Sequence, residues 1–416
     1  MESIHICGGS PLRGTLRVHG AKNAALPILI AAAGISGRFT LRRCPRIRDV
    51  EAVREILSDL GVETRREGDA LLVDSRRRHS APVRPELAAS LRASSLFLGA
   101  LAGAWGRAEV PLPGGCPLSP GLRPLDLHLS AFSDLGLDHD CVDSVIRLRG
   151  QVRGGTVILR YPSVGATENV ILAALGADGP VQLLGAAREP EIVDLAAFLG
   201  ACGAEISGAG SSRIEIRPAP LHGADYTILP DRIEAVTWLC AAACTGGSLT
   251  LEEIPPALLG PVPAILRRAG CRVEEEPDRI RLEAGPLRAV EPLVTGPWPG
   301  FPTDAQPPVM AALCLADGVT LMEETVFACR FRHVPGLVAM GADVELAGRA
   351  AAVRGVAGLR GARAAVPDLR GGAALLCAAL AAEGESLLTN AALLERGYQD
   401  LVPTLGALGA RVSPAE

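Results

Sequence analysis

"ILSDLGVET", residues 56–64, reads as the end of an amphipathic helix, a glycine stop and the start of an alternating strand. Five further stretches repeat the phrase: AFSDLGLDH (131–139), FLGACGAEI (198–206), ILRRAGCRV (265–273), LVAMGADVE (337–345) and TLGALGARV (404–412). Their glycines are Gly61, Gly136, Gly203, Gly270, Gly341 and Gly409, at successive spacings of 75, 67, 67, 71 and 68 residues. A recurrence every ~70 residues marks one supersecondary unit used repeatedly, and a glycine at each stop is expected to cap its helix in the left-handed conformation.

A second phrase interleaves with the first: a helix of small residues, a glycine, then a strand, as in KNAALPILIAAAGISGRFTL (22–41) and RIEAVTWLCAAACTGGSLTL (232–251). Its other copies begin at 92, 166, 304 and 369, so the chain is six copies of one α/β unit. The whole exceeds one comfortable core, and two domains of three units are expected, 22–229 and a discontinuous 1–21 with 230–416. Residues 1–20 then form a strand segment with no full unit of its own.

Composition narrows the function classes. In 416 residues the hydrophobic share is 48% and the aromatic share 3%, with 47 glycines, which suits closely packed helices and strands. A net charge of −5 without long like-charge blocks provides no basic stripe, so no nucleic-acid partner is expected. No uncharged run reaches the ~18 residues of a membrane helix, the start MES has no cationic leader, and a cytoplasmic protein is expected. Eleven cysteines are scattered, mostly in apolar runs, without CxxC pairs or Cys/His clusters at zinc spacing; reduced core thiols and no metal follow.

Polar residues gather where the small-residue helices begin: Lys22 and Asn23, Arg92, Ser163 with Thr167 and Glu168, Asp231 and Arg232, Thr303 and Asp304, and Asp368 with Arg370. Helix N-termini attract anions. Plain capping accounts for Asp304, Ser163 and Asn23. It does not account for Lys22, Arg92 or Arg232, because a cation at a helix N-terminus opposes the dipole unless an anion joins it. Lys22 is also the only lysine among 41 Lys and Arg, which points to a site where a compact ammonium serves better than a guanidinium; the alternative is chance retention on a solvated surface.

One cysteine differs from the rest. Cys116 lies in the Gly/Pro-rich stretch VPLPGGCPLSPGLRPLDLH (110–128), which reads as a loop over about 112–124, and Arg123 is close by in sequence. Such a thiol suits an acid, a nucleophile or a redox sensor, or it is an incidental exposed cysteine. Cys116 with His128 supplies only two ligands and does not make a metal site.

Taken in order, GAKNAALP, PLPGGC with RPLDLH, PSVGATEN, REPEIVDL, PDRIEA, FPTDAQ, ETVF, DLRGGAAL and ERGYQDLV resemble the UDP-N-acetylglucosamine enolpyruvyl transferases, members of the enolpyruvyl transferase family, nearly end to end. The resemblance implies an inside-out α/β barrel of two pseudo-threefold domains with the active site in the cleft between them. It implies transfer of the enolpyruvyl group of phosphoenolpyruvate to the 3-hydroxyl of UDP-N-acetylglucosamine by addition and elimination, the opening step of peptidoglycan synthesis, with no cofactor and a monomeric chain. By matching motif, Cys116 corresponds to the family's loop acid and the target of fosfomycin, and Asp304 to its base. Lys22, Asn23, Arg123 and Arg396 correspond to the surroundings of phosphoenolpyruvate. For the nucleotide sugar the matches are Asn23, Arg92, Arg123, Pro124, Leu125, Asp126, Leu127, Ser163, Val164, Asp304 and Val326. Glu189, Asp231, Arg232, Arg330, Asp368 and Arg370 match supporting residues, and the three acids also read as ion-pair partners that hold the arginines.

The chain departs from the family pattern in a loop two residues longer between Cys116 and Arg123, in Leu393 where a histidine is usual and in Val236 where a glycine is usual. A related transferase for another acceptor is the second reading. A non-catalytic nucleotide-sugar-binding protein is the third, although such a protein is expected to have lost one of Lys22, Cys116, Asp304 or Arg396, and all four are present.

Overall fold

The computed structural model describes residues 1–114 and 125–415. The chain divides into two compact units, Gly20–Leu229 and Met1–His19 with Pro230–Glu416.

In the unit Gly20–Leu229 three helices form the interior: Lys22–Gly34, Leu96–Trp105 and Val164–Ala174. Each is apolar around most of its circumference, as a helix enclosed on all sides must be. Small residues set how closely the helices approach: a Cβ on Gly99 would lie 2.4 Å from the Asn169 carbonyl oxygen of the neighbouring helix. Every inner helix runs into a strand of an outer sheet. Arg38–Arg42 pairs antiparallel with Ala70–Asp74 and parallel with Asp225–Thr227. Val181–Leu184 pairs antiparallel with Arg213–Arg217 and parallel with Gly155–Ile158, and Arg107–Pro111 pairs with Val145–Arg149.

The unit containing Pro230–Glu416 repeats the plan around Arg232–Cys244, Gln306–Leu313 and Leu369–Ala381. Val236 and Leu393, the two departures in sequence, are core residues here: Val236 is buried and Leu393 packs against the core. The N-terminal segment has a defined task. Its strand Ser3–Cys7 joins Glu385–Thr389 and Arg411–Ala415, and its strand Arg13–Arg17 runs parallel to Ser248–Glu252, so it completes two sheets whose other strands come from far along the chain.

All six glycines of the first phrase have positive φ, from 75° at Gly61 to 107° at Gly270, the conformation expected at helix stops. Ten described cysteines are free thiols, and seven of them are buried. Among the described residues no helix is long and apolar enough to cross a membrane.

Candidate functional site

Within Gly20–Leu229, Lys22 is the first residue of its inner helix, and Ala21, which offers no side-chain cap, precedes it. Asn23 is therefore a helix-interior residue and not the expected cap. Lys22 Nζ lies 2.5 Å from Asp49 Oδ2, with the two side chains 12% and 5% exposed. The anion that offsets the ammonium at this N-terminus thus includes a carboxylate of the protein, which the sequence reading missed. A signal existed: in the helix Arg48–Asp59 the buried positions are Asp49, Val50, Val53, Ile56 and Leu57, so an acid sits on the apolar stripe.

Arg92 opens a short 3-10 turn, Arg92–Ser95, ahead of the second inner helix, where an α-helix start was expected. Ser163 caps the third inner helix by accepting from Ala166 N at 3.4 Å, and Val164 is that helix's first residue. Asp126 begins the helix Asp126–Asp134 and faces Arg160 at 3.6 Å, an exposed pair of little energetic weight. Leu125 and Leu127 pack against the core. Cys116, Arg123 and Pro124 lie outside the described residues.

His128, which closes the motif RPLDLH, is buried, and its Nδ1 accepts from Asn169 Nδ2 at 2.7 Å. Asn169 is oriented in turn, since its Nδ2 donates to Ser95 O and its Oδ1 accepts from Gly99 N. Burial, and then the charge of Arg92, lower the His128 pKa to about 4, so the ring is neutral at neutral pH. It anchors the helix Asp126–Asp134. Glu189 precedes the helix Pro190–Ala201 and accepts from Arg188 N at 3.0 Å. Burial, with Glu191 and then Glu189 adding repulsion, raises the pKa of Glu168 well above the usual carboxylate range.

In the other unit Asp304 is not the expected helix cap. That position belongs to Ala305, and the Asp304 carboxylate instead bridges two arginines. Arg330 Nη2 donates to Oδ1 at 2.7 Å and Arg370 Nε donates to Oδ2 at 3.0 Å. The guanidinium side chains are 6% and 7% exposed and the carboxylate 25%, so the acid keeps an open side. Burial opposes the charge of Arg370, but Asp304 and other acids prevail and hold its pKa above the ordinary arginine value. Arg330 also donates to Thr303 Oγ1, whose hydroxyl donates to the buried Glu324. The Glu324 carboxylate accepts from Val326 N and Phe327 N at 2.8 Å each and so fixes the ETVF turn that carries Val326.

Three further residues of this unit surround helix starts. Asp231 caps Arg232–Cys244 by accepting from Ile233 N and Glu234 N, and Asp368 caps Leu369–Ala381 by accepting from Arg370 N and Gly371 N. Arg232 stacks over Trp298 at 5.3 Å from the ring centroid. Arg396 ends the 3-10 segment Ala391–Arg396. The structure therefore brings Asp304, Arg330 and Arg370 together, and it gives Asp231 and Asp368 helix-capping roles.

The chain matches the family model described as EPSP synthase (3-phosphoshikimate 1-carboxyvinyltransferase) over residues 6–405. It is 45% identical to the UDP-N-acetylglucosamine 1-carboxyvinyltransferase of Oleidesulfovibrio alaskensis over 418 aligned residues, covering 99% of each chain. It is 41% identical to UDP-N-acetylglucosamine 1-carboxyvinyltransferase 2 of Caldanaerobacter subterraneus subsp. tengcongensis, again covering 99% of each. Among solved structures, the enolpyruvyl transferase NikO from Streptomyces tendae superposes with a TM-score of 0.88 at 27% identity, covering 99% of this chain and 98% of that one. EPSP synthase from Acinetobacter baumannii matches with a TM-score of 0.76 at 18% identity over the whole of both chains, a likeness of fold.

Proposed function

The chain belongs to the EPSP synthase family of carboxyvinyl transferases, and on that premise we propose that it moves the enolpyruvyl group of phosphoenolpyruvate to the 3-hydroxyl of UDP-N-acetylglucosamine, releasing phosphate. The observation that carries the reading is similarity to curated transferases of that name over 99% of each chain. The product is a precursor for cell-wall peptidoglycan.

The residues divide the chemistry as follows. The Cys116 thiol gives a proton to the methylene carbon of phosphoenolpyruvate while the sugar oxygen attacks C2, forming a tetrahedral phospholactate ketal. Asp304 receives the hydroxyl proton. Its two arginine donors occupy one lone pair on each oxygen, and the remaining lone pairs of a partly open carboxylate are available to the hydroxyl. The Cys116 thiolate then takes a proton from the new methyl group as the C2–O bond to phosphate breaks, which restores the vinyl group, and Asp304 returns its proton to the departing phosphate. Lys22, Arg123 and Arg396 offset the phosphate and carboxylate charges throughout. Asp49 keeps the Lys22 ammonium at its helix start, and as a point charge on a flexible stem it follows a phosphate that changes geometry.

The nucleotide sugar is assigned to Asn23, Arg92, the stretch 123–127, Ser163, Val164, Asp304 and Val326, with Glu189, Asp231, Arg232, Arg330, Asp368 and Arg370 in support. No metal or organic cofactor takes part in the reaction, and the chain acts as a cytoplasmic monomer. The reaction run in D2O tests the addition–elimination step. Deuterium enters the vinyl group of product and recovered phosphoenolpyruvate only when the acceptor is present; a product free of deuterium at that carbon overturns the mechanism.

A further inference from the structure

Away from every residue placed in the reaction, the strand Ser3–Cys7 presents His5 and Cys7 on one face, two residues apart, while Ile4 and Ile6 fill the core behind it. The antiparallel register sets Glu385 directly opposite Cys7 and one step diagonal from His5, so all three side chains share the outer face of this sheet. The ligand atoms of the three residues lie within 4.8 Å of one another. His5 Nε2 is 3.3 Å from Glu385 Oε2, and Cys7 Sγ is 3.9 Å from Glu385 Oε1.

We propose that His5, Cys7 and Glu385 form a surface site for one zinc-class divalent ion. Bond lengths of ~2.0 Å to N and O and ~2.3 Å to S put tetrahedral ligand atoms roughly 3.3–3.6 Å apart, so the spacing needs only side-chain adjustment. Imidazole, thiolate and carboxylate together favour zinc or cobalt over the hard ions magnesium and calcium. Three protein ligands leave the fourth position to water. As an ion pair alone the cluster is worth little, with side chains 35% and 71% exposed at His5 and Glu385. On the other flank of the strand Arg411 opposes Cys7 in register, and its Nη2 donates to the Gly8 carbonyl at 3.3 Å; Ser413 opposes His5. The sequence reading assigned no metal because the carboxylate lies 378 residues from the thiol, beyond any spacing rule.

Cobalt titration of the chelator-stripped full chain tests the site. One equivalent of Co2+ produces a thiolate-to-cobalt charge-transfer band that Zn2+ abolishes. Cys7→Ser and His5→Ala lose the band, and Glu385→Gln weakens cobalt affinity more than roughly tenfold. Cys116→Ser and Cys141→Ser retain the band, and the circular dichroism and phosphate release of Cys7→Ser match wild type. Absence of the band in the wild-type chain, or its persistence in Cys7→Ser, overturns the proposal.

Discussion

Replacing Asp304 by alanine removes a carboxylate shared by Arg330 and Arg370, whose guanidinium side chains are 6% and 7% exposed. Stripping the partner from a fully buried charge costs roughly 3–5 kcal/mol. Here the acid is 25% exposed and Arg330 retains Thr303 as an acceptor, which places the cost near the low end, about 3 kcal/mol. For a unit of roughly 200 residues, at about 2–4 °C per kcal/mol, the melting temperature of the Pro230–Glu416 unit falls by roughly 6–12 °C. Two of the three tryptophans, Trp238 and Trp298, lie in that unit, so tryptophan fluorescence during heating follows it. Asp304→Asn keeps the shape and one acceptor oxygen, loses less stability and still lacks the base, so turnover falls by roughly 10²–10⁴. A melting temperature within about 1 °C of wild type for Asp304→Ala refutes the clamp. Normal turnover of Asp304→Asn refutes the base.

Lys22→Arg folds, because Asp49 accepts either cation, but it loses most turnover; near-normal kcat returns the lone lysine to chance retention. Cys116→Ser abolishes the covalent fosfomycin adduct seen by intact-mass measurement, and a surviving adduct places the reactive thiol elsewhere. His128 and His333 are buried with pKa values lowered from 6.5 to about 4, chiefly by burial. Each folded-state value is depressed, so the unfolded chain binds the proton first. The associated stability is complete above about pH 6.5 and declines by up to about 3 kcal/mol per histidine as the pH falls towards 4. His333→Leu, which also removes a buried Nε2 with no hydrogen-bond partner among the described residues, reduces the stability lost between pH 7 and 4.5 by roughly 2–3 kcal/mol in urea titrations; an unchanged loss counts against a buried neutral ring.

The architecture was legible because its signals are local. Six glycines at left-handed helix stops and six helices of small residues each announce themselves within a dozen positions, and their recurrence defines the unit. Long-range pairing was less visible. Nothing near residues 3–7 says that this strand will lie between 385–389 and 411–415, since strand partners depend on the closed fold and not on neighbours. The same limit applies to side chains. Asp304 reads as a cap from its position before a helix, yet two arginines 26 and 66 residues away claim its oxygens. Asp49 stands out in sequence only as an acid on an apolar stripe, and nothing local names Lys22 as the cation it holds. Glu324 shows no special pattern in sequence, although it is buried and holds the turn that carries Val326.

The central claim is the transfer itself. Purified full-length chain is mixed with phosphoenolpyruvate and UDP-N-acetylglucosamine, phosphate release is followed in time and the nucleotide product is weighed by mass spectrometry. The account predicts one phosphate for each nucleotide sugar that gains an enolpyruvyl group, with no release when either substrate is omitted. Absence of phosphate above background with both ligands bound, or release without the mass gain on the nucleotide, contradicts it.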